Sequence, residues 1–204
     1  MGRGSSGLTG GKGKTSVSFQ PTVVGGNYNA TKEMVDFVTA SSDEFRKLVP
    51  KYLSDEVNIN FEKYMGATAG VEYANKVELN GAHFKKLLKD GKYDEARGIV
   101  AHELTHLVQD RINNGLGLKG DDRDKHNATL WDNAVANFVR DNPKYTAKDV
   151  KKRVSNQYGG GGHSRDGSRP EELMAVAVQV NAKYGNDGSF TSEVGKYVLK
   201  EIAK

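Results

Sequence analysis

The chain has 204 residues, 36% of them hydrophobic and 27% charged, so it can bury a core as one domain. It contains no cysteine, which excludes disulfides and leaves only nitrogen and oxygen side chains as metal ligands. The formal net charge of +4 is modest, and its basic runs are typical of solvated helix faces, so nucleic-acid binding is not expected.

The N-terminal stretch differs in composition from the rest of the chain. Residues 1–14 are rich in glycine and serine, which predicts a flexible arm, and residues 15–204 are predicted to form a single domain. No apolar stretch approaches the roughly 20 residues of a membrane span, and no apolar segment of a Sec signal is visible. We therefore expect a protein that is cytoplasmic in the producing cell or exported without a cleaved Sec signal.

Strand and helix patterns alternate in the first part of the chain. Alternation predicts strands at residues 15–24 and 56–64, and "VEYANKVELNG" predicts either a hairpin or one long strand. Helical spacing predicts three helices, "NATKEMVDFVTA", "SSDEFRKLVPKYL" broken near Pro50, and "AHFKKLLKDG" stopped by Gly91.

The remainder is predicted to be helical apart from two loops, "NNGLGLKGDDRDK" and "YGGGGHSRDGSRP". A helix from Tyr93 to Arg111 carries apolar residues at the 3.6-residue period. Further helices are predicted around Trp131, in "TAKDVKKRVSNQ", in "EELMAVAVQVNAKYG" and in "TSEVGKYVLKEIAK". Early strands and late helices predict an α+β fold, with a small early β-sheet packed on the Tyr93–Arg111 helix and a mainly helical C-terminal half.

The segment "GIVAHELTHLVQD" carries the chemistry of the sequence. Residues four apart on a helix lie on one face, so the imidazoles of His102 and His106 can meet one ion. Glu103 is rotated about 100 degrees from His102, so it flanks the ion instead of binding it. This is the HExxH pattern, in which zinc acidifies a water molecule and the glutamate acts as the general base.

Catalytic zinc usually takes three protein ligands and leaves one position for water, so a third ligand is needed. Glu172 is the first candidate, because it heads the apolar helix "RPEELMAVAVQV", where a charged group needs a partner. Favourable placement at a helix N-terminus would also explain it, but with HExxH upstream a zinc ligand is the better interpretation. His126, just before the Trp131 helix, is the alternative ligand. A metzincin is excluded because Ile112 stands where its third histidine would lie.

"HELTHLVQD" followed by "RPEELMAVAVQV" resembles the gluzincin branch of zincin metallopeptidases, in particular lethal-factor-type bacterial toxin or effector peptidases. The resemblance implies a zincin-like fold, with Glu172 as the third ligand and an oxyanion-stabilising tyrosine that matches Tyr158. It also implies a second acid four residues after the glutamate, but Val176 stands there. The competing segment "HNATLW" is similar to the helix that bears the third histidine in SprT-like proteases.

The sequence therefore predicts a zinc metalloendopeptidase with a protein or peptide substrate, in which His102, His106 and Glu172 bind Zn2+ and Glu103 and Tyr158 are catalytic. Its resemblance to toxin peptidases adds the expectation of a secreted toxin or effector. Two alternatives stay open. One is a SprT-like protease acting on DNA-bound proteins, and the other is a non-catalytic, zinc-stabilised structural or phage-associated module. No feature of the sequence indicates an oligomeric state.

Overall fold

The computed structural model describes residues 36–39, 42–53, 58–62, 70–73, 76–157, 169–185 and 188–204. The predicted arm over residues 1–14 and the predicted strand over residues 15–24 lie outside this part of the chain. Residues 36–39 are helical. The elements that follow are α1 (Asp43–Arg46), α2 (Val49–Tyr52), β1 (Asn58–Glu62), β2 (Gly70–Tyr73), β3 (Lys76–Asn80), α3 (Gly81–Lys89), α4 (Tyr93–Gly115), α5 (Asp121–Asp141), α6 (Ala147–Ser155), α7 (Pro170–Tyr184) and α8 (Phe190–Ile202).

The three strands form a small sheet in the order β1-β3-β2. β1 runs parallel to β3, with Asn58 opposite Lys76, and β2 runs antiparallel to β3, with Tyr73 opposite Lys76. The hairpin alternative for "VEYANKVELNG" is thus confirmed. The sheet lies against α4 through β2 and β3.

The prediction of an α+β fold is wrong, because the described part of the chain is mostly helical. Its strands are only four or five residues long, whereas α4 and α5 have 23 and 21 residues. Short alternating stretches suggested a larger share of sheet than three such strands supply. The helices also extend into predicted loop: α4 continues through Gly115 and α5 begins at Asp121, which leaves only residues 116–120 of "NNGLGLKGDDRDK" between them.

Several helix ends follow the local signals in the sequence. Thr146 caps α6 in a capping box with Asp149, as its position predicts. Asn80 caps α3 by accepting a hydrogen bond from the backbone N–H of His83, and Gly91 follows the helix with a φ of 70°. The predicted break near Pro50 is confirmed, because α1 ends at Arg46 and a separate helix, α2, begins at Val49. Pro50 lies in the first turn of α2, where its missing N–H costs nothing.

The helix α4 is buried over most of its circumference. Val100, Leu104, Leu107 and Val108 are fully buried, as their period predicts, while Ile99 is only partly buried. On its other faces, β2 and β3 lie on one side and α7 makes the most extensive helix contact of the described chain. Some polar side chains on α4 are therefore enclosed by packed neighbours, namely Glu103, Thr105, Gln109 and Asn113.

The helix α7 lies between α4 and α8 at close range. Every residue from Leu173 to Val178 is buried. The two helices approach each other closely at Gly98 of α4, where an added Cβ would lie 3.2 Å from Gln179 Cγ. On the other side, a Cβ at Gly195 would overlap the backbone carbonyl of Ala177.

Of the helices in the described residues, none combines the length and hydrophobicity needed to cross a membrane.

Replacing Gly195 with alanine should destabilise the fold by about 2–3 kcal/mol, because backbone on α7 cannot yield to the new methyl group. Urea unfolding followed by circular dichroism measures this. Gly115→Ala is the matched control, since nothing lies within 4 Å of its added Cβ, and it should be neutral or stabilise by up to about 1 kcal/mol. Equal stability of the two variants would contradict the close helix crossing.

Candidate metal centre

Two histidines on successive turns of α4 face each other. The Nε2 atoms of His102 and His106 are 3.2 Å apart, and the rings meet edge to face with centroids 4.9 Å apart. Both side chains are mostly buried, with exposed fractions of 14% and 17%. The spacing in the sequence predicted this shared face, and the structure confirms it.

Glu172 approaches the histidine pair from the first turn of α7. Its Oε2 lies 3.6 Å from His102 Nε2, and its Oε1 lies 3.6 Å from His106 Nε2. One ligand atom from each of the three residues lies within 4.8 Å of the others, an arrangement that could hold a metal ion. Pro170 opens α7 in its first turn, so the fixed φ of proline helps to start the helix that delivers the carboxylate.

Two glutamines hold the far side of the imidazoles. Oε1 of Gln179, on α7, lies 3.0 Å from His102 Nδ1, and Oε1 of Gln109, on α4, lies 3.0 Å from His106 Nδ1. The amide Nε2 of Gln109 donates to the backbone carbonyl of Glu171. Sequence reasoning missed both glutamines, although Gln109 follows His106 by three residues and Gln179 follows Glu172 by seven, spacings that share a helix face.

The donor atoms suit a small divalent cation. Ligands about 2.1 Å from a tetrahedral zinc lie about 3.4 Å from one another, close to the observed separations of 3.2 and 3.6 Å. The buried Oε2 of Glu172 has no hydrogen-bond partner among the described residues. A glutamine oxygen can only accept a hydrogen bond, so Nδ1 of each histidine must carry the proton that it donates. The lone pair on each Nε2 then remains for an ion.

Electrostatics within the cluster favour a positive charge between its members. Burial raises the pKa of Glu172, but the two imidazoles outweigh burial and hold its pKa well below the usual range. Burial lowers the pKa of His106, but the facing carboxylate of Glu172 and the charge of Glu103 raise it overall. A proton on His106 and a metal ion therefore compete for the same place.

Glu103 is a buried carboxyl group beside this cluster, with an exposed fraction of 6%. Burial raises its pKa, while the positive charge that the two histidines can carry opposes the rise, and Glu172 adds to it. A carboxyl with a raised pKa suits general base chemistry near neutral pH.

The two other predicted site residues are His126 and Tyr158. His126 is not part of the cluster, and its buried Nε2 has no hydrogen-bond partner in the described part of the chain. Tyr158 lies outside the described residues.

Arg169 lies just before α7 and is over half exposed. Its Nη2 is 3.9 Å from Glu172 Oε1, and its Nε is 3.2 Å from Glu171 Oε1. It puts a fixed positive charge at the exposed side of the cluster.

Comparison with known proteins assigns no family. The sequence matches no protein-family model, no curated protein and no solved structure. The chemistry of the site must therefore be argued from its own geometry.

Replacing Glu172 or His106 with alanine should weaken binding of Zn2+ at least about 100-fold. Removing a ligand lowers the affinity more than removing a residue that only orients a ligand. Isothermal titration with a competing chelator measures the affinity. His126→Ala is the control and should bind as the unaltered protein does. The reverse pattern, with loss only in the His126 variant, would contradict the Glu172 assignment.

Lowering the pH should release the metal, because the neutral imidazole binds it and the protonated one does not. The raised pKa of His106 places the onset above the ordinary imidazole value of ~6.5. Below that onset we expect affinity to fall about tenfold or more per pH unit. Affinities measured between about pH 5 and 8 test this, and a flat profile would show that His106 is not a ligand.

Proposed function

We propose that the protein is a zinc-dependent metallopeptidase that hydrolyses peptide bonds. The observation that carries this proposal is the convergence of His102, His106 and Glu172 within 4.8 Å of one another, with the buried carboxyl of Glu103 next to the first histidine. Three protein ligands and a neighbouring acid are the composition of a hydrolytic zinc site.

The donor set favours zinc over other abundant cations. Two imidazole nitrogens and one carboxylate suit a transition metal, whereas calcium and magnesium prefer oxygen ligands throughout. Across the described residues, the cluster has no fourth member, whether histidine, aspartate or glutamate. A structural zinc site is normally closed by four protein ligands, so a set of three favours catalysis.

Each side chain has a distinct role in the proposed reaction. A bound zinc ion would acidify a water molecule and polarise the substrate carbonyl. The Glu103 carboxylate takes a proton from the attacking water and later delivers it to the leaving amine. His102, His106 and Glu172 would hold the ion, and the packed helices α4 and α7 keep their spacing constant. Tyr158 stays a predicted oxyanion stabiliser.

The sheet beside α4 offers a route for the substrate. β3 is paired on both sides, by β1 and by β2, so it is not an edge of the described sheet. Within the described strands, β2 is an outer strand and contacts α4. An extended peptide that adds to β2 would run alongside the helix that bears the metal ligands.

The alternatives have less support. A SprT-like protease needs His126 as third ligand, and the clustered ligand atoms belong to His102, His106 and Glu172 instead. A purely structural zinc module needs a fourth protein ligand, which the described residues do not add. The toxin or effector role comes from the resemblance alone and stays a prediction.

Replacing Glu103 with glutamine should leave zinc binding intact and lower peptide hydrolysis by about 100-fold or more, because the amide cannot accept the proton. Cleavage of an unfolded protein such as casein by the zinc-loaded protein, followed by mass spectrometry, measures this. Glu95→Gln on the same helix is the matched control and should cleave normally. Normal cleavage by the Glu103 variant would remove this mechanism, and no cleavage by the unaltered zinc-loaded protein would count against a peptidase.

A further inference from the structure

We infer that Gln109 and Gln179 are positioning residues, which lock both histidine ligands in the tautomer and orientation that a metal requires and join that lock to the helix that supplies Glu172. The inference deepens the proposed function, since it rests on the same metal site. It concerns the binding of the ion and does not depend on hydrolysis.

The orientation of Gln109 follows from its second contact. Its amide group lies 3.1 Å from the backbone carbonyl oxygen of Glu171, which can only accept a hydrogen bond. The amide nitrogen must therefore face α7, so the oxygen faces His106 Nδ1 at 3.0 Å. Nδ1 of His106 then carries the proton that it donates, and Nε2 is left to bind an ion.

This contact links two ligands that come from different helices. Gln109 is buried, with an exposed fraction of 2%, and it touches the residue directly before Glu172. The same side chain thus sets the ring of His106 and fixes the first turn of α7. A shift of α7 along α4 would break the bond to Glu171 and move the carboxylate of Glu172 together with it.

Gln179 performs the first of these tasks for the other histidine, from the opposite helix. Its oxygen meets His102 Nδ1 at 3.0 Å, and its Cγ lies close to Gly98, where a larger residue would displace it. Amide oxygens here occupy the place where metal sites often use a carboxylate or a backbone carbonyl. Both acceptors are neutral, so they orient the imidazoles without adding negative charge to the site.

The two glutamines should respond differently to the same substitution. Gln179→Glu keeps an acceptor for His102, so we expect zinc affinity within about threefold of the unaltered protein or tighter. Gln109→Glu keeps an acceptor for His106 but turns an oxygen toward the Glu171 carbonyl, so we expect affinity at least about tenfold weaker. Leucine at either position removes the acceptor and should weaken zinc binding about 10- to 100-fold.

The test measures zinc affinity by chelator competition for these four variants, with Gln157→Leu as the control at an exposed position just after α6. In the zinc-loaded proteins, NMR of the imidazole Nδ1–H protons gives a second readout. Slow exchange with water should be lost for His106 only in Gln109→Leu and for His102 only in Gln179→Leu. A change of stability alone would not produce this one-to-one pattern.

Zinc affinities of both leucine variants within about threefold of the control would overturn the inference. If those variants fail to fold, the two glutamate variants decide, and equal affinities for them would also overturn it. Zinc binding that depends on the glutamines but brings no peptide cleavage would reject the proposed peptidase and leave this inference standing. Absence of zinc binding by the unaltered protein would reject both.

Discussion

Three electron-pair donors that point at one another inside a protein repel unless a positive charge lies between them. His102, His106 and Glu172 are in this situation, at separations of 3.2 to 3.6 Å. The surrounding structure maintains the arrangement, because α4 and α7 pack along much of their length and two glutamines hold the imidazoles from behind. A cation is the simplest partner for such a group, and a proton is its competitor.

The position of Glu172 explains why an otherwise apolar helix begins with a pair of acids. The residues that follow it, from Leu173 to Val178, are buried between neighbouring helices. Only the first turn of α7 carries negative charge, where the helix dipole and Arg169 also favour it. The helix thus anchors itself by its apolar body and presents a carboxylate at its end.

Local patterns in the sequence identified the histidine pair, because a spacing of four residues on a helix fixes a shared face. Glu172 was also identified from its local sequence, because an acid at the start of an otherwise apolar helix needs a partner. Gln109 and Gln179 escaped, because their contacts depend on how α4 crosses α7. The fold class was predicted wrongly for a related reason. An alternating pattern shows where a strand can form, but it does not show how few residues will pair into a sheet. Polar helix ends such as Asn113–Gly115 resemble loop in composition and were assigned as one.

The close seating of α7 between Gly98 and Gly195 has a consequence for the spacing of the three candidate metal ligands. Apolar packing along α7 holds the first turn that carries Glu172 against the helix that carries His102 and His106. The distance between the Glu172 carboxylate and the two imidazoles is therefore set by the crossing of α4 and α7.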